Sequence, residues 1–104
     1  MNDLSIEVSD LRTLASGLDV DSDYLLARVT EGDLLLLNYR PQAAAFPDEQ
    51  HVVSERIVVL AGRVALETAQ QRVEVAAGQM ACIPPGLSHH YAADSDGQVL
   101  VLFG

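Results

Sequence analysis

Three histidines and one glutamate are the residues of this chain whose types and spacing could hold a metal ion. The histidines are His51, His89 and His90, and Glu55 follows the first of them by four residues. Imidazole nitrogens and carboxylate oxygens together suit divalent iron, manganese, nickel or zinc. Because these residues lie in two distant stretches, a metal site requires a fold that brings the two stretches together.

Strand geometry constrains how these residues can meet. His51 and Glu55 share a parity, so a regular strand would place them on one face but ~13 Å apart. A shared metal ion therefore requires a bulge, bend or loop between them. His89 and His90 would face opposite sides of a strand, and we assign His90 to the surface. Tyr91 shares the parity of His89, so we expect it to line the same cavity.

The elements that must position these residues are predicted to be short strands. Val, Ile and Leu segments alternate with Gly and Pro turns at close intervals, which is typical of a sandwich or barrel. Predicted strands cover residues 24–30, 34–40, 49–60, 63–68, 72–75, 79–83, 87–93 and 98–103. Turns are predicted at 31–33, at Gly62, and at 76–78, 84–86 and 94–97, and residues 41–48 are expected to be irregular.

The N-terminal segment, residues 1–20, is predicted to be irregular or to hold a short helix. Leu11, Leu14, Ala15 and Leu18 have helical spacing, and Ser9 or Asp10 could cap the helix. A chain of 104 residues is expected to form one domain, residues 1–104, with the barrel over 24–104.

Two sequence motifs carry a resemblance to a known family. The segment 51–62 places Glu55 four residues after His51 and Gly62 seven residues after Glu55. The segment 78–89 begins with a glycine, continues to Pro-Pro-Gly, and reaches His89 three residues later. In this order, with a short segment between them, they resemble the two motifs of the cupin superfamily over residues 49–93.

The resemblance implies an all-β fold, a double-stranded β-helix or jelly-roll barrel. It also implies metal ligands at His51, Glu55 and His89, turns at Gly62 and Gly78, and a loop shaped by Pro84 and Gly86. Two positions depart from the family pattern: Glu49 stands where the first motif has another histidine, and Ala93 stands where the second has an asparagine.

Glu49 leaves three interpretations open. It could be a fourth ligand, in which case two carboxylates would neutralise a divalent ion and favour Mn or Fe. It could act as a general base beside the metal, or it could point to solvent. The predicted cofactor is a divalent metal ion, Fe, Mn, Ni or Zn, since affinity order alone does not choose among them.

Two functions are compatible with this pattern. In the first, the protein is a metal-dependent enzyme acting on a small organic molecule, since small cupins include dioxygenases, isomerases and decarboxylases. In the second, it is a non-catalytic module that binds or senses a small ligand, with or without metal. Glu49 and Tyr91 are the candidate catalytic residues, and the sequence leaves open whether catalysis occurs.

Charge and composition narrow the partners. The formal net charge is −9, and such a surface disfavours nucleic acid and anionic membranes. No apolar run is long enough to cross a bilayer. With a single cysteine and an acidic N-terminus, we predict a cytoplasmic protein. The resemblance also implies a homodimer, and exposed strand edges supply a physical reason.

Three further side chains receive structural predictions. Cys82 is expected to be a small buried hydrophobic residue. Tyr39 and Arg40 are placed near the barrel mouth, where an arginine could pair with an anionic substrate, although a solvated arginine is the simpler interpretation.

Overall fold

The computed structural model describes residues 10–29 and 32–104. One short helix precedes seven strands in this part of the chain. They are α1 (Leu11–Ser16), β1 (Tyr24–Val29), β2 (Gly32–Tyr39), β3 (Glu55–Glu67), β4 (Arg72–Ala76), β5 (Met80–Ile83), β6 (His90–Tyr91) and β7 (Asp96–Phe103). The antiparallel order is β1-β2-β7-β3-β4, and β5 and β6 also pair with β3. The predicted all-β, jelly-roll class is confirmed.

The long strand β3 organises the fold. Its first half lies between β7 and β5, and its second half lies between β4 and β6. The pairing with β7 shifts register between Val59 and Ala61 and continues to Arg63, where the pairing with β4 begins. Gly62 follows with a positive φ of 72°, a conformation that glycine adopts without a steric penalty. One strand therefore pairs with four others and bends between its two halves.

At this bend β3 and β7 pair so closely that Gly62 and Gly97 have no room for a side chain. A Cβ atom at Gly62 would lie 2.1 Å from the Asp96 carbonyl oxygen, and one at Gly97 would lie 2.8 Å from the Ala61 carbonyl oxygen. The two glycines, which pair in the ladder, allow the backbones to approach closely at the curve.

The interior is filled by side chains that alternate along the strands. On β3, Glu55, Ile57 and Val59 point inward, while the residues between them are less buried. Ile57 and Val59 belong to a hydrophobic core cluster, whose other members are Leu37, Tyr39, Phe46, Val64, Leu66, Val75, Ile83, Tyr91, Val99 and Val101. Because Glu55 has the parity of this core, the strand itself carries a carboxylate into the interior.

Several predicted boundaries are wrong. The predicted strand 49–60 begins at Glu55, and Gly62 does not end it, because the bulge lets the chain continue to Glu67. The predicted strand 87–93 is reduced to His90 and Tyr91. In place of the predicted 94–97 turn, β7 already begins at Asp96. Gly32 and Asp33, predicted to lie in a turn, start β2, whereas Glu31 lies outside the described residues.

The N-terminal helix forms as one of the two predicted alternatives. Asp10 caps it, since its Oδ1 accepts a hydrogen bond of 3.1 Å from the backbone N–H of Thr13. Residues 1–9 of the N-terminal segment lie outside the described residues. The helix contacts β2 and β7, and Gln98 donates to the carbonyl of Arg12 and to the hydroxyl of Ser16.

The buried state predicted for Cys82 is wrong, because its side chain is exposed. On the four-residue strand β5, Ile83 occupies the inward position, so its neighbour necessarily faces out. No helix among the described residues is long and apolar enough to span a membrane.

Candidate metal centre

Four side chains converge inside the barrel, and we call them the inner cluster: Glu49, His51, Glu55 and His89. One nitrogen or oxygen atom from each lies within 4.8 Å of the corresponding atoms of the others. Glu55 and His89 are buried, with 2% and 1% of their surface exposed. The side chains of His51 and Glu49 are 29% and 44% exposed. All three predicted ligands therefore meet, and the position of the missing motif histidine joins them.

A loop solves the distance problem between His51 and Glu55. Residues 51–54 are irregular, and β3 begins only at Glu55. This turn brings His51 Nε2 to 3.3 Å from Glu55 Oε1. The bend or loop that strand geometry demanded is thus present.

A short backbone pairing places Glu49 beside His89. The Glu49 N–H donates to the His89 carbonyl at 2.7 Å, and the His89 N–H donates to the Glu49 carbonyl at 3.0 Å. This bridge joins the two motif segments directly. The carboxylate of Glu49 then lies 3.7 Å from His51 Nε2 and 3.8 Å from His89 Nε2.

The His89 ring is oriented by the backbone. Its Nδ1 lies 2.9 Å from the carbonyl oxygen of Leu87, which can only accept, so Nδ1 carries a proton. The other nitrogen, Nε2, faces Glu55 Oε1 at 3.0 Å. In neutral His89, Nε2 therefore presents a lone pair toward the centre of the cluster, as a metal-binding imidazole requires.

Hydrogen bonding, burial and neighbouring charges raise the pKa of two members of the inner cluster, His89 and Glu49. The hydrogen bond to Glu55 raises the pKa of His89 above its ordinary value, although burial opposes this. Burial raises the pKa of Glu49, and repulsion from Glu55 adds to it. Without a cation, His89 and Glu49 therefore hold protons more tightly than the free side chains would.

The donor set fits a divalent transition-metal ion. His51 Nε2 is buried and has no hydrogen-bond partner in the described structure. Such an orphaned nitrogen is costly unless something binds it. Two imidazoles and two carboxylates provide mixed nitrogen and oxygen ligands, with a total charge that balances a divalent ion.

A cavity of about 620 Å³ opens beside the cluster. Glu49, His51, Glu55 and Tyr91 line it, but His89, with which Tyr91 was predicted to share a cavity, lines a second cavity instead. Tyr39 lines it too, whereas Arg40 is exposed and is not among the lining residues. The sequence analysis missed the apolar side of this cavity, formed by Leu35, Leu37, Val101 and Phe103.

Two stacked tyrosines border the cavity. The rings of Tyr39 and Tyr91 lie 4.0 Å apart at 21°, and Phe46 packs edge-on against Tyr39 at 5.0 Å. The Tyr91 hydroxyl is buried without a hydrogen bond of regular geometry. Burial raises the pKa of Tyr91 well above its usual value, and the nearby carboxylates of Glu55 and Glu49 add to this.

A second group, which we call the outer cluster, consists of Asp48, Glu67 and His90. His90 Nδ1 donates to Asp48 Oδ1 at 2.7 Å, and Nε2 donates to Glu67 Oε1 at 2.9 Å. The hydrogen bonds that His90 makes to Asp48, and next to Glu67, raise the pKa of His90. His90 faces away from the cavity, as predicted, but it is held by two carboxylates rather than left free in solvent.

The fold and the inner cluster place this protein among small jelly-roll proteins with a candidate metal site in the interior. The model of the family described as Cupin domain matches residues 28–103, more than half of the chain. The protein therefore belongs to the cupin domain family. No curated protein matches this chain in sequence.

Solved structures share the fold. A cupin-2 domain containing protein from Shewanella frigidimarina is similar at 18% identity, with a TM-score of 0.77, and the match covers 90% of each chain. Hydroquinone 1,2-dioxygenase PnpCD, in complex with Cd2+ and 4-hydroxybenzonitrile, matches at 14% identity and a TM-score of 0.77, covering 99% of this chain and 78% of its own. Hydroquinone 1,2-dioxygenase from Sphingomonas sp. TTNP3, with 4-hydroxybenzoate bound, matches at 10% identity and a TM-score of 0.76. That match covers 99% of this chain and 83% of the other.

Proposed function

We propose that this cupin binds a divalent metal ion, Fe, Mn, Ni or Zn, through His51, Glu55, His89 and Glu49, and acts on a small organic molecule in the adjacent cavity. The single observation that carries the proposal is the convergence of four ligand atoms within 4.8 Å of one another. The orphaned His51 nitrogen supports it, because a cation would satisfy that atom.

Each residue has a defined part in this proposal. His89 and His51 supply nitrogen ligands, and Glu55 supplies the buried carboxylate between them. Glu49 is the fourth ligand, since its carboxylate approaches both imidazoles. Its half-exposed position also lets it accept a proton from a bound molecule, which keeps it a candidate base. When bound, the metal would polarise a carbonyl or hydroxyl oxygen.

The reaction type stays within the range predicted from the sequence: dioxygenase, isomerase or decarboxylase. Two of the similar structures are hydroquinone dioxygenases, one of them in complex with Cd2+, which supports the first type. The replacement of a motif histidine by Glu49 favours a second candidate, a non-catalytic module that binds or senses a small ligand. We also propose that the chain forms a single domain with its barrel over residues 24–104. We further propose that the protein is a homodimer and that it is cytoplasmic.

Metal content after purification without added metal tests the proposal. We expect close to one equivalent per chain by elemental analysis, and none after His89→Ala. His90→Ala is the matched control, because it removes the neighbouring imidazole outside the cavity. A wild-type protein that neither retains nor takes up any of the four metals would overturn the proposal. Turnover that disappears together with the metal would distinguish the enzyme from the binding module.

A further inference from the structure

The cavity beside the inner cluster has a continuous apolar wall. Leu35 and Val101 are direct partners in the β2–β7 ladder, so their side chains share a face. Leu37 and Phe103 follow two residues along the same strands and also line the cavity. We call these four residues the apolar wall. It faces a group of polar ligands supplied by a different part of the chain.

Phe103 connects this wall to the inner cluster. Its ring packs on the imidazole of His51, with ring centroids 4.7 Å apart and an interplanar angle of 62°. In the ladder between β3 and β7, Phe103 is the direct partner of Glu55. One side chain therefore contacts the cavity and a metal-ligand candidate, and its backbone pairs with another.

The backbone around Phe103 is fixed from several directions. The Gly104 N–H donates to the Ser54 carbonyl at 2.9 Å, which ties the end of β7 to the loop that carries His51. Arg56 donates to the Gly104 carbonyl at 2.6 Å. Gly32 packs so closely that a Cβ there would lie 1.9 Å from the Phe103 carbonyl oxygen. The ring is thus held against the imidazole of His51.

We propose that Phe103 is both a positioning residue for His51 and a specificity residue for the ligand, which we assign to uncharged small molecules with an apolar body and one oxygen-bearing head. This inference rests on the proposed function. The apolar body packs on the wall, and the head faces the cluster. Glu49 and Glu55 already balance a divalent charge. Asp23 and Asp33 also line the cavity, so an anionic head would add negative charge beside acidic side chains.

Cobalt titration tests the positioning role. Co2+ added to metal-stripped protein reports its ligand geometry through its visible spectrum. We expect Phe103→Leu to alter that spectrum and to weaken Co2+ binding about tenfold. This is the smaller of the losses in metal affinity that are typical when a group orienting a metal ligand is changed. Phe103→Tyr retains the ring and should restore both. Leu102→Ala, on the opposite face of the same strand, should leave both unchanged.

Three probes of nearly equal shape test the ligand class on Zn2+-loaded protein. Acetophenone carries a ketone, α-methylstyrene lacks the oxygen, and benzoate carries a charge. Measured by saturation-transfer NMR competition, acetophenone should bind wild type more tightly than the other two. Phe103→Ala should weaken its binding about tenfold, whereas Leu102→Ala should not. Circular dichroism checks that each variant folds, and Phe103→Leu replaces the alanine variant if the latter does not.

The outcomes separate this inference from the proposed function. Wild type that fails to bind Co2+ and Zn2+ overturns the metal proposal itself. Normal metal binding with an unchanged Co2+ spectrum in Phe103→Leu overturns only the positioning role. Tighter binding of benzoate than of acetophenone, or equal acetophenone binding by wild type and Phe103→Ala, overturns the ligand assignment.

Discussion

The inner and outer clusters contain the same kinds of side chain, histidines and carboxylates, and their central histidines are neighbours in sequence. In the inner cluster, two imidazoles converge on one buried carboxylate, and His51 Nε2 lies 3.3 Å from it without forming a hydrogen bond. In the outer cluster, one imidazole lies between two carboxylates, and both of its nitrogens are satisfied. The residue types are shared, but only the inner geometry leaves a place for a cation.

Burial accounts for this difference. The side chain of Glu55 is 3% exposed, whereas those of Asp48 and Glu67 are 70% and 31% exposed. A buried carboxylate needs compensation by a positive charge or hydrogen bonds, while an exposed one is stabilised by water. His89 pairs with Glu49 and His90 begins β6, so alternation along this extended backbone sends the two histidines to opposite environments.

The largest expected effect separates the two clusters by their carboxylates. Glu55→Gln should reduce affinity for Zn2+ by at least about a hundredfold, because it removes the anionic ligand shared by both imidazoles. Glu67→Gln, the matched change in the outer cluster, should alter affinity by less than twofold. Isothermal titration calorimetry on metal-stripped protein measures both. Equal losses in the two variants would contradict the distinction.

The two neighbouring histidines should differ in their contribution to stability. In metal-free protein, His89→Ala leaves Glu55 buried with only the weaker contact to His51, at 3.3 Å. We expect a loss of about 2 kcal/mol in the free energy of unfolding. His90→Ala removes a surface interaction and should cost much less. Urea unfolding at pH 7 gives both values, and similar costs would argue that burial does not distinguish the sites.

Glu49 should have an intermediate effect. Glu49→Gln preserves size and backbone pairing but removes one negative charge near the cation. Because this carboxylate is 44% exposed, we expect Zn2+ affinity to fall about tenfold, less than for Glu55. Calorimetry in the same buffer ranks the two. An unchanged affinity would exclude Glu49 from the ligand set and leave it as a base or a solvent-facing residue.

The smallest effect concerns the pH dependence of the outer cluster. Folding raises the pKa of His90 through Asp48 and Glu67, so its folded state binds a proton more tightly than its unfolded state. This stabilisation is fully present below the ordinary histidine value near 6.5 and is lost as pH rises through the raised value. His90→Gln should therefore destabilise the protein slightly at pH 6 and less at pH 9. Thermal unfolding across that range measures it, and a larger effect at pH 9 would reverse the sign.

The sequence indicated which side chains meet better than it indicated the path of the backbone. Motif spacing selected His51, Glu55 and His89, which converge in the structure, and strand parity selected Tyr91 as a cavity residue. The apolar wall was not visible, since Leu34–Leu37 is continuously apolar and does not reveal which residues face inward. The outer cluster joins residues far apart in sequence, and no local pattern indicates it.

Strand boundaries failed where tertiary pairing overrode a local signal. Glycine is typical of turns, yet the strand continues through Gly62 because β7 pairs with it on both sides of the bulge and β4 takes over from Arg63. Cys82 was misplaced because its strand has only four residues and one inward position near its end. In both cases, the neighbouring strands decide the outcome.

The paired glycines Gly62 and Gly97, where β3 and β7 approach closely, limit how this scaffold could be re-engineered. A methyl group at Gly62 or Gly97 must push β7 away from β3, and β7 carries Phe103 at its far end. Laboratory evolution toward a new ligand would therefore do best to hold both positions constant. Diversity placed at Leu35 and Leu37, on the neighbouring strand β2, would reshape the cavity while the close pairing of β3 and β7 keeps the candidate metal ligands in place.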